Sequence, residues 1–291
     1  SLGIFQTDEF GQILLTDCKP GTYRAEERDT GGDSHVLDTT PQEVELKAGD
    51  GIKDLVFFND RLPGIHLIKV DSSKPIANVK FRFEAVDGSF GPEEYTTSED
   101  GTIDLSKLPA DTAYIVTELE CPGYVIDNAQ RIIHLDGGEQ AQFVFTNSKR
   151  PSLYLYKESA DGTPLGGVTY RLAKIEDGSR YLDRTTGPDG SIVWEGLEPG
   201  VYSLIETSTV SDHLLDTTEY HVQLFPGQDS TICVQNDKRP NLTIWKFDAE
   251  DHSIPIPNTT FLVEAADGHS VAEVTTGPDG SATVPNLLPA V

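Results

Sequence analysis

Apolar and polar residues alternate along this chain in short runs, which is the pattern of β-strands with one buried face. Glycine and proline interrupt these runs at a spacing of roughly 8–12 residues. No long stretch shows the apolar period of an amphipathic helix. The pattern therefore predicts an all-β fold of tandem immunoglobulin-like β-sandwich domains.

Three kinds of polar residue recur at the ends of these apolar runs. A lysine ends one type of run, a glutamate the second and an asparagine the third, and each recurs after 88 to 91 residues. Because three unlike residues keep nearly the same period, we infer one structural unit repeated along the chain. The lysines are Lys69, Lys157 and Lys246, the glutamates Glu27, Glu118 and Glu206, and the asparagines Asn59, Asn147 and Asn236.

Each of these nine residues is predicted to face the core of its unit. Residues two apart in a strand share a face, and counting back by twos from Lys157 gives Leu155 and Leu153. An unpaired buried charge is costly. Burial therefore lowers the pKa of a core lysine and raises the pKa of a core carboxyl. At neutral pH this leaves a free amine beside a neutral acid.

An amine, a carboxyl and a carboxamide in one apolar place form a reactive set. A neutral lysine amine is a nucleophile, and an asparagine carboxamide is a weak electrophile. A glutamic acid between them can polarise the carbonyl and carry the proton to the departing ammonia. Taken singly, the residues are more simply explained as a snorkelling lysine, an acidic edge residue and a turn asparagine. Their shared register favours a Lys–Asn isopeptide bond.

Short linkers follow the asparagine strands, and each combines a basic residue with a proline. They read NDRLPG at 59–64, NSKRPS at 147–152 and NDKRPN at 236–241. Proline limits the freedom of such a joint. The predicted units are therefore 1–62, 63–150, 151–239 and 240–291.

The first and last of these units hold only part of the repeated pattern. Residues 1–62 contain Glu27 and Asn59 without an opening lysine strand, and residues 240–291 contain Lys246 without a partner glutamate or asparagine. We expect the chain to be a window on a longer array. One hypothesis is that the two partial units complement each other between molecules and join Lys246 to Asn59.

The repeated unit resembles a known family in the order of its motifs. A strand ending in lysine is followed by a small-residue stretch (DGTPLGGVTYRL, 161–172), a turn (TTGPDGS, 185–191) and the element GLEPGVYSLIE (196–206). A strand ending in asparagine closes the unit. This order resembles tandem collagen-adhesin B-type (Cna-B) domains, also called SpaA-like or prealbumin-like domains, of Gram-positive surface proteins and pilins.

The resemblance implies prealbumin-like β-sandwich domains in a rod-like array, outside the cell, on the cell wall of a Gram-positive bacterium. It also implies that an acid catalyses isopeptide formation in each complete unit. The implied sets are Lys69–Asn147 with Glu118 and Lys157–Asn236 with Glu206.

Composition narrows the partners that the chain can have. The net charge is −26, from 48 acidic and 22 basic residues, which argues against binding nucleic acid or an anionic membrane surface. No acidic run has the spacing of an EF-hand loop, so no metal site and no cofactor are expected. The three cysteines, Cys18, Cys121 and Cys233, lie at different positions of the repeat and suggest no disulfide framework.

These observations favour a mechanical function over catalysis with turnover. We expect structural stalk repeats of a cell-wall-anchored adhesin, which contact neighbouring repeats and reach host proteins or glycans through other parts of the parent chain. The scattered histidines match no catalytic or metal motif, so we expect self-processing only and not an enzyme. The alternatives are a pilin subunit segment, which the missing YPK motif disfavours, and a host-protein or glycan binding module using the less repetitive segments 28–40 and 120–131.

Overall fold

The computed structural model describes residues 1–72, 74–127, 129–176 and 181–288, and all regular elements within these ranges are β-strands. None of the described residues belongs to a helix that could span a membrane. The predicted all-β fold is confirmed. In chain order the strands are β1 (Gly21–Ala25), β2 (Gln42–Leu46), β3 (Gly64–Asp71), β4 (Lys74–Pro75), β5 (Lys80–Ala85), β6 (Glu93–Thr96), β7 (Thr102–Leu105), β8 (Thr112–Glu120), β9 (Arg131–Leu135), β10 (Gln140–Thr146), β11 (Leu153–Ser159), β12 (Thr169–Lys174), β13 (Tyr181–Thr185), β14 (Ser191–Trp194), β15 (Gly200–Ser208), β16 (Glu219–Leu224), β17 (Ser230–Asn236), β18 (Leu242–Trp245), β19 (Thr260–Glu264), β20 (Ser270–Thr275) and β21 (Ser281–Val284).

The chain divides into two compact units. The first comprises residues 1–122 and 126–147, and the second comprises residues 123–125 and 148–291. The first unit therefore includes the stretch predicted as a partial domain at 1–62. The division into four domains stays a prediction.

The first unit contains a complete sandwich of two sheets. In one sheet, β3 pairs in parallel with β10 and antiparallel with β7 and the short β4. The other sheet is antiparallel, in the order β6-β5-β8-β9. The rings of Phe81 on β5 and Phe145 on β10 meet edge to face, with centroids 4.9 Å apart, and both are fully buried. Aromatic contact across the two sheets thus forms the centre of this core.

The second unit repeats this arrangement. Strand β11 pairs in parallel with β17 and antiparallel with β14, and the facing sheet has the order β13-β12-β15-β16. Its core combines both sheets, with Leu155 from β11, Leu172 from β12, Trp194 from β14 and Leu204 from β15. Leu153 and Leu155, which were predicted to point inward, belong to this core and are fully buried.

Two shorter stretches accompany the sandwiches. Strands β1 and β2 form an antiparallel pair in the first unit, and β18-β21 and β19-β20 form two pairs in the second. Several large apolar side chains there lie in solvent, including Ile4, Phe58 and Trp245. These stretches therefore bury less of their apolar surface than the two complete sandwiches.

A glycine turn fixes the end of each lysine strand. The backbone amides of Lys69, Lys157 and Lys246 each donate to the carbonyl of a glycine 32 to 34 residues later, at 2.8 Å. Each glycine has a positive φ, between +74° and +77°, and a Cβ there would overlap the carbonyl oxygen of the same lysine. Only glycine therefore fits this close approach. The three glycines are Gly101, Gly190 and Gly280.

Candidate functional site

Strand pairing brings the predicted lysine and asparagine to the same end of each complete sandwich. Because β3 and β10 run parallel, Lys69 lies opposite Phe145, and Asn147 follows two residues later on the same face. Glu118 is on β8 in the facing sheet. The amine and carboxamide thus approach from one sheet and the carboxyl from the other.

The first cluster is buried and closely packed. The Lys69 Nζ lies 3.1 and 3.2 Å from the two carboxylate oxygens of Glu118. Asn147 donates from Nδ2 to Glu118 Oε1 at 2.5 Å. All three residues are at most 4% exposed. The Asn147 Oδ1 is buried and has no hydrogen-bond partner in the part of the chain that the structure describes.

Apolar surroundings change the chemistry of the first amine. Burial lowers the pKa of Lys69 below its usual range, although the neighbouring Glu118 opposes this shift. The Nζ lies 5.9 Å from the ring centroids of both Phe81 and Phe145. A lower pKa increases the fraction of uncharged, nucleophilic amine at neutral pH.

The second cluster has the same members in a slightly different arrangement. The Lys157 Nζ lies 3.0 Å from Glu206 Oε2 and donates to Asn236 Oδ1 at 2.5 Å. Asn236 donates from Nδ2 to Glu206 Oε1 at 2.7 Å. The three residues are again at most 4% exposed. Each group of the triplet therefore contacts the other two.

This arrangement brings together an amine, a carboxamide and a carboxylate, which are the groups that amide transfer between side chains needs. In the second cluster the amine donates a hydrogen bond to the carboxamide oxygen at 2.5 Å, so it lies beside the carbonyl group. The carboxylate of Glu206 reaches both the amine and the amide nitrogen, so one side chain can move a proton between them.

A backbone contact also holds each glutamate. The amides of Asp38, Asp127 and Asp216 donate to the carboxylates of Glu27, Glu118 and Glu206, at 3.3, 3.3 and 3.5 Å. The residues that donate come 9 to 11 positions after the glutamate they contact. Sequence reasoning missed this contact because it depends on the path of the loop after the glutamate strand.

The incomplete sets of residues, Glu27 with Asn59 and Lys246 alone, show only part of the same arrangement. Asn59 donates from Nδ2 to Glu27 Oε1 at 2.6 Å, and its Oδ1 is buried without a partner among the described residues. Lys246 belongs to the other unit and is half-buried, and its amine donates to the backbone oxygen of Phe247 at 3.0 Å. The hypothesis that Lys246 and Asn59 join two molecules stays a prediction.

Two polar contacts in the second cluster were not anticipated from the sequence. The hydroxyl of Tyr170 donates to Glu206 Oε2 at 2.9 Å, and Thr209 Oγ1 accepts from Asn236 Nδ2 at 3.0 Å. Alignment of the repeats, VKF at 79–81 with VTY at 168–170 and Glu118 with Glu206, places Phe81 and Cys121 at the corresponding positions of the first cluster. That comparison is the sequence signal that could have found both residues.

The chemistry of these neighbours follows from their burial. Burial and the adjacent Glu206 charge raise the pKa of Tyr170, so its hydroxyl remains a donor. Burial likewise raises the pKa of the Cys121 thiol, and all three cysteines of the chain are free. Cys121 is therefore a neutral thiol beside the first cluster.

Segment 120–131 was considered in the sequence analysis as a surface for direct ligand binding. Tyr124, the aromatic residue of 120–131, is half-buried, and Arg150 donates to its backbone oxygen at 3.1 Å. Asn128, within that segment, lies outside the described residues. In the described part of the chain, no group of three or more histidine, cysteine, aspartate or glutamate residues is arranged to hold a metal ion.

Comparison with protein families identifies the class. The SpaA prealbumin-like fold domain matches twice, at residues 63–149 and 151–238, and the chain belongs to this family. The resemblance to SpaA-like domains is thereby confirmed.

Several solved structures are similar to this chain at low identity. The Bacillus anthracis TIE protein is 23% identical over 86% of this chain and 47% of its own, with a TM-score of 0.37, so the chain spans about half of that protein. A Streptococcal ancillary pilin is 21% identical over 77% of this chain and 76% of its own, with a TM-score of 0.39. GBS52, the minor pilin of Streptococcus agalactiae, is 17% identical over 61% and 96%, with a TM-score of 0.36. No curated protein sequence matches the chain.

Proposed function

We propose that this chain is a stalk segment of a Gram-positive cell-surface adhesin whose two complete domains crosslink themselves. The observation that carries this proposal is the same buried lysine–glutamate–asparagine triplet in two domains, with each carboxylate in contact with both partners. Two charged groups and an amide are seldom buried together without a function.

The reaction needs no partner from outside the domain. The lysine Nζ attacks the asparagine Cγ, and a new C–N bond forms while the bond from Cγ to Nδ2 breaks. The glutamate takes a proton from the attacking amine and passes it to Nδ2, which leaves as ammonia. The glutamate ends in its starting state, and no electrons are transferred. The domain is its own substrate, so there is no turnover.

The crosslink has a mechanical consequence. Lys69 lies near the start of its domain and Asn147 near the end, on neighbouring parallel strands. Force applied to the two ends of the domain therefore passes through a covalent bond. Closing a loop of this length stabilises a domain by about 4–5 kcal/mol through lost chain entropy, which is a large fraction of the total for a small domain.

This stability suits a protein exposed to shear and proteases outside the cell. The high negative charge keeps such a segment soluble and discourages self-association. We place the chain at the cell wall, in contact with neighbouring repeats. Host proteins or glycans are bound by other parts of the parent protein.

Intact mass tests the proposal directly. The denatured chain is expected to weigh two ammonia masses less than its sequence, and peptide mapping should find Lys69 joined to Asn147 and Lys157 joined to Asn236. Asn147→Ala and Asn236→Ala should each abolish one crosslink and leave the other. An unmodified mass in the folded chain would overturn the crosslinking proposal.

A further inference from the structure

The two clusters differ at the residue that faces the glutamate across the sheet. Tyr170 on β12 is paired with Glu206 on β15, and Phe81 on β5 is paired with Glu118 on β8. The register shifts immediately before both aromatic residues, between Thr169 and Tyr170 in the second domain. A bulge of this kind re-aims the next side chain. At equivalent positions, the second domain thus has an aromatic ring with a hydroxyl and the first domain has one without.

The hydroxyl of Tyr170 changes how the carboxylate is shared. Glu206 Oε2 receives both the Tyr170 hydroxyl at 2.9 Å and the Lys157 amine at 3.0 Å, while Oε1 faces the amide nitrogen of Asn236 at 2.7 Å. The Lys157 amine also lies 5.6 Å from the Tyr170 ring centroid. Tyr170 is fully buried, so water does not compete for its hydroxyl.

The first cluster lacks this donor. Lys69 there contacts both oxygens of Glu118, at 3.1 and 3.2 Å, and the oxygen of Asn147 has no hydrogen-bond partner among the described residues. In the second cluster, by contrast, the lysine amine reaches the asparagine oxygen. Glu206, which accepts from the tyrosine, therefore has the lysine amine on one oxygen and the amide nitrogen on the other.

We propose that Tyr170 is a positioning residue for crosslinking at Lys157 and Asn236. The inference rests on the proposed function. The Tyr170 hydroxyl holds Glu206 Oε2 beside the Lys157 amine, while Oε1 stays on the amide nitrogen of Asn236 and the amine reaches the amide oxygen. A carboxylate fixed between the amine and the amide can pass a proton from one to the other without turning.

Other titratable groups near the two glutamates differ between the two sites. Near Glu206, Asp216 on the following loop accepts from the Tyr220 hydroxyl of β16 at 2.7 Å. Near Glu118, the corresponding Asp127 is paired with Arg131 of β9 at 2.7 Å. Because tyrosine replaces arginine at this place, the two sites are not directly comparable. Each variant is therefore compared with the same site in the parent chain.

The chain offers a reciprocal pair of variants. Tyr170→Phe removes the hydroxyl from the second site, and Phe81→Tyr adds one to the first. The full chain is kept unfolded in urea from cell lysis onward, so that it has not reacted, and is then diluted into a neutral buffer. Loss of ammonia at each site is followed by mass spectrometry of peptides. The unchanged site in each molecule is the internal control.

Tyr170→Phe is expected to slow the loss of ammonia at Lys157–Asn236 by about tenfold, since this is the factor that one hydrogen bond to a charged group commands. Phe81→Tyr is expected to speed the reaction at Lys69–Asn147. Equal rates for variant and parent would show that the ring only packs, and would overturn the inference. If Tyr170→Phe does not fold, the rate of Phe81→Tyr decides. A parent chain that reacts at neither site contradicts the proposed function instead.

Discussion

The amine of Lys157 donates a hydrogen bond to the carboxamide oxygen of Asn236 at 2.5 Å, inside the core of a β-sandwich. The carboxylate of Glu206 contacts the amine at 3.0 Å and the amide nitrogen at 2.7 Å. The amine, the carboxamide and the carboxylate are thus in mutual contact. In the proposed reaction, this preorganisation replaces the encounter that a reaction between free amine and amide requires.

Replacing the proton carrier should abolish one crosslink and preserve the other. Glu118→Gln keeps the shape of the side chain but cannot take the proton from Lys69, so the denatured chain should retain one ammonia more than the parent. Glu206→Gln should do the same at the second site. The measurement is intact mass with peptide mapping.

The matched control is Glu120→Gln, which changes an exposed glutamate on the same strand. It should leave both crosslinks in place. Full crosslinking in Glu118→Gln would show that the carboxyl plays no part in the chemistry.

Loss of the second crosslink should lower the stability of its domain. Lys157→Met keeps an unbranched chain in the core but removes the nucleophile. The loop between residues 157 and 236 is then open in the unfolded state, which costs about 4–5 kcal/mol of crosslink stabilisation. Calorimetry should show a transition several degrees lower for the second domain. An unchanged transition would mean that no crosslink stabilises the parent domain.

An unreacted Lys69 should make stability depend on alkaline pH. Burial lowers its pKa in the folded chain from the ordinary value of 10.5, so the unfolded chain binds more protons in the window below 10.5. Stability must therefore rise as the pH increases through that window. Glu118→Gln, which cannot crosslink this domain, is compared with Glu118→Gln/Lys69→Met, which has no amine.

Thermal unfolding at pH 7 and pH 9.5 measures this effect. The stability of the single variant relative to the double variant should increase with pH, because only the single variant releases a proton on folding. Parallel behaviour of the two variants would contradict a lowered pKa for Lys69.

The glycine turn behind the lysine should tolerate no side chain. Gly190 has φ +74°, and a Cβ there would overlap the carbonyl oxygen of Lys157. Gly190→Ala should therefore destabilise the second domain by roughly 1–3 kcal/mol more than a backbone effect alone, and it should slow crosslinking by displacing the lysine strand.

Gly162→Ala is the control for this variant. Gly162 also has a positive φ, at +82°, but a Cβ there would meet no atom within 4 Å. Its loss of stability reports the backbone strain alone. If urea unfolding shows equal losses of stability in the two variants, the close approach to Lys157 does not contribute to the effect.

Local pattern was sufficient to find the principal residues of both clusters. Alternation alone indicates that Lys157 shares a face with Leu155 and Leu153, and the structure buries all three. The inward direction of Glu118 and Asn147 follows from the same rule. Repetition strengthened these inferences, because a polar residue that recurs in register is not a chance interruption of an apolar run.

The contacts that distinguish the two clusters could not be read from alternation. Tyr170 reaches Glu206 because a register shift precedes it and because β12 is paired with β15. Thr209 reaches Asn236 only because the end of β15 lies near the end of β17 in space. The strand period is local, whereas register and sheet facing depend on pairings between residues far apart in the chain.

The sequence by itself thus determined the strands, the repeat and the inward lysine, glutamate and asparagine, since each depends on a period of two residues or on a comparison between copies. The tertiary structure alone decided which atoms meet. It placed the amine of Lys157 on the oxygen of Asn236 and the hydroxyl of Tyr170 on the carboxylate of Glu206. Those contacts depend on the separation of two facing sheets and on a bulge in one strand, neither of which has a local signature in the chain.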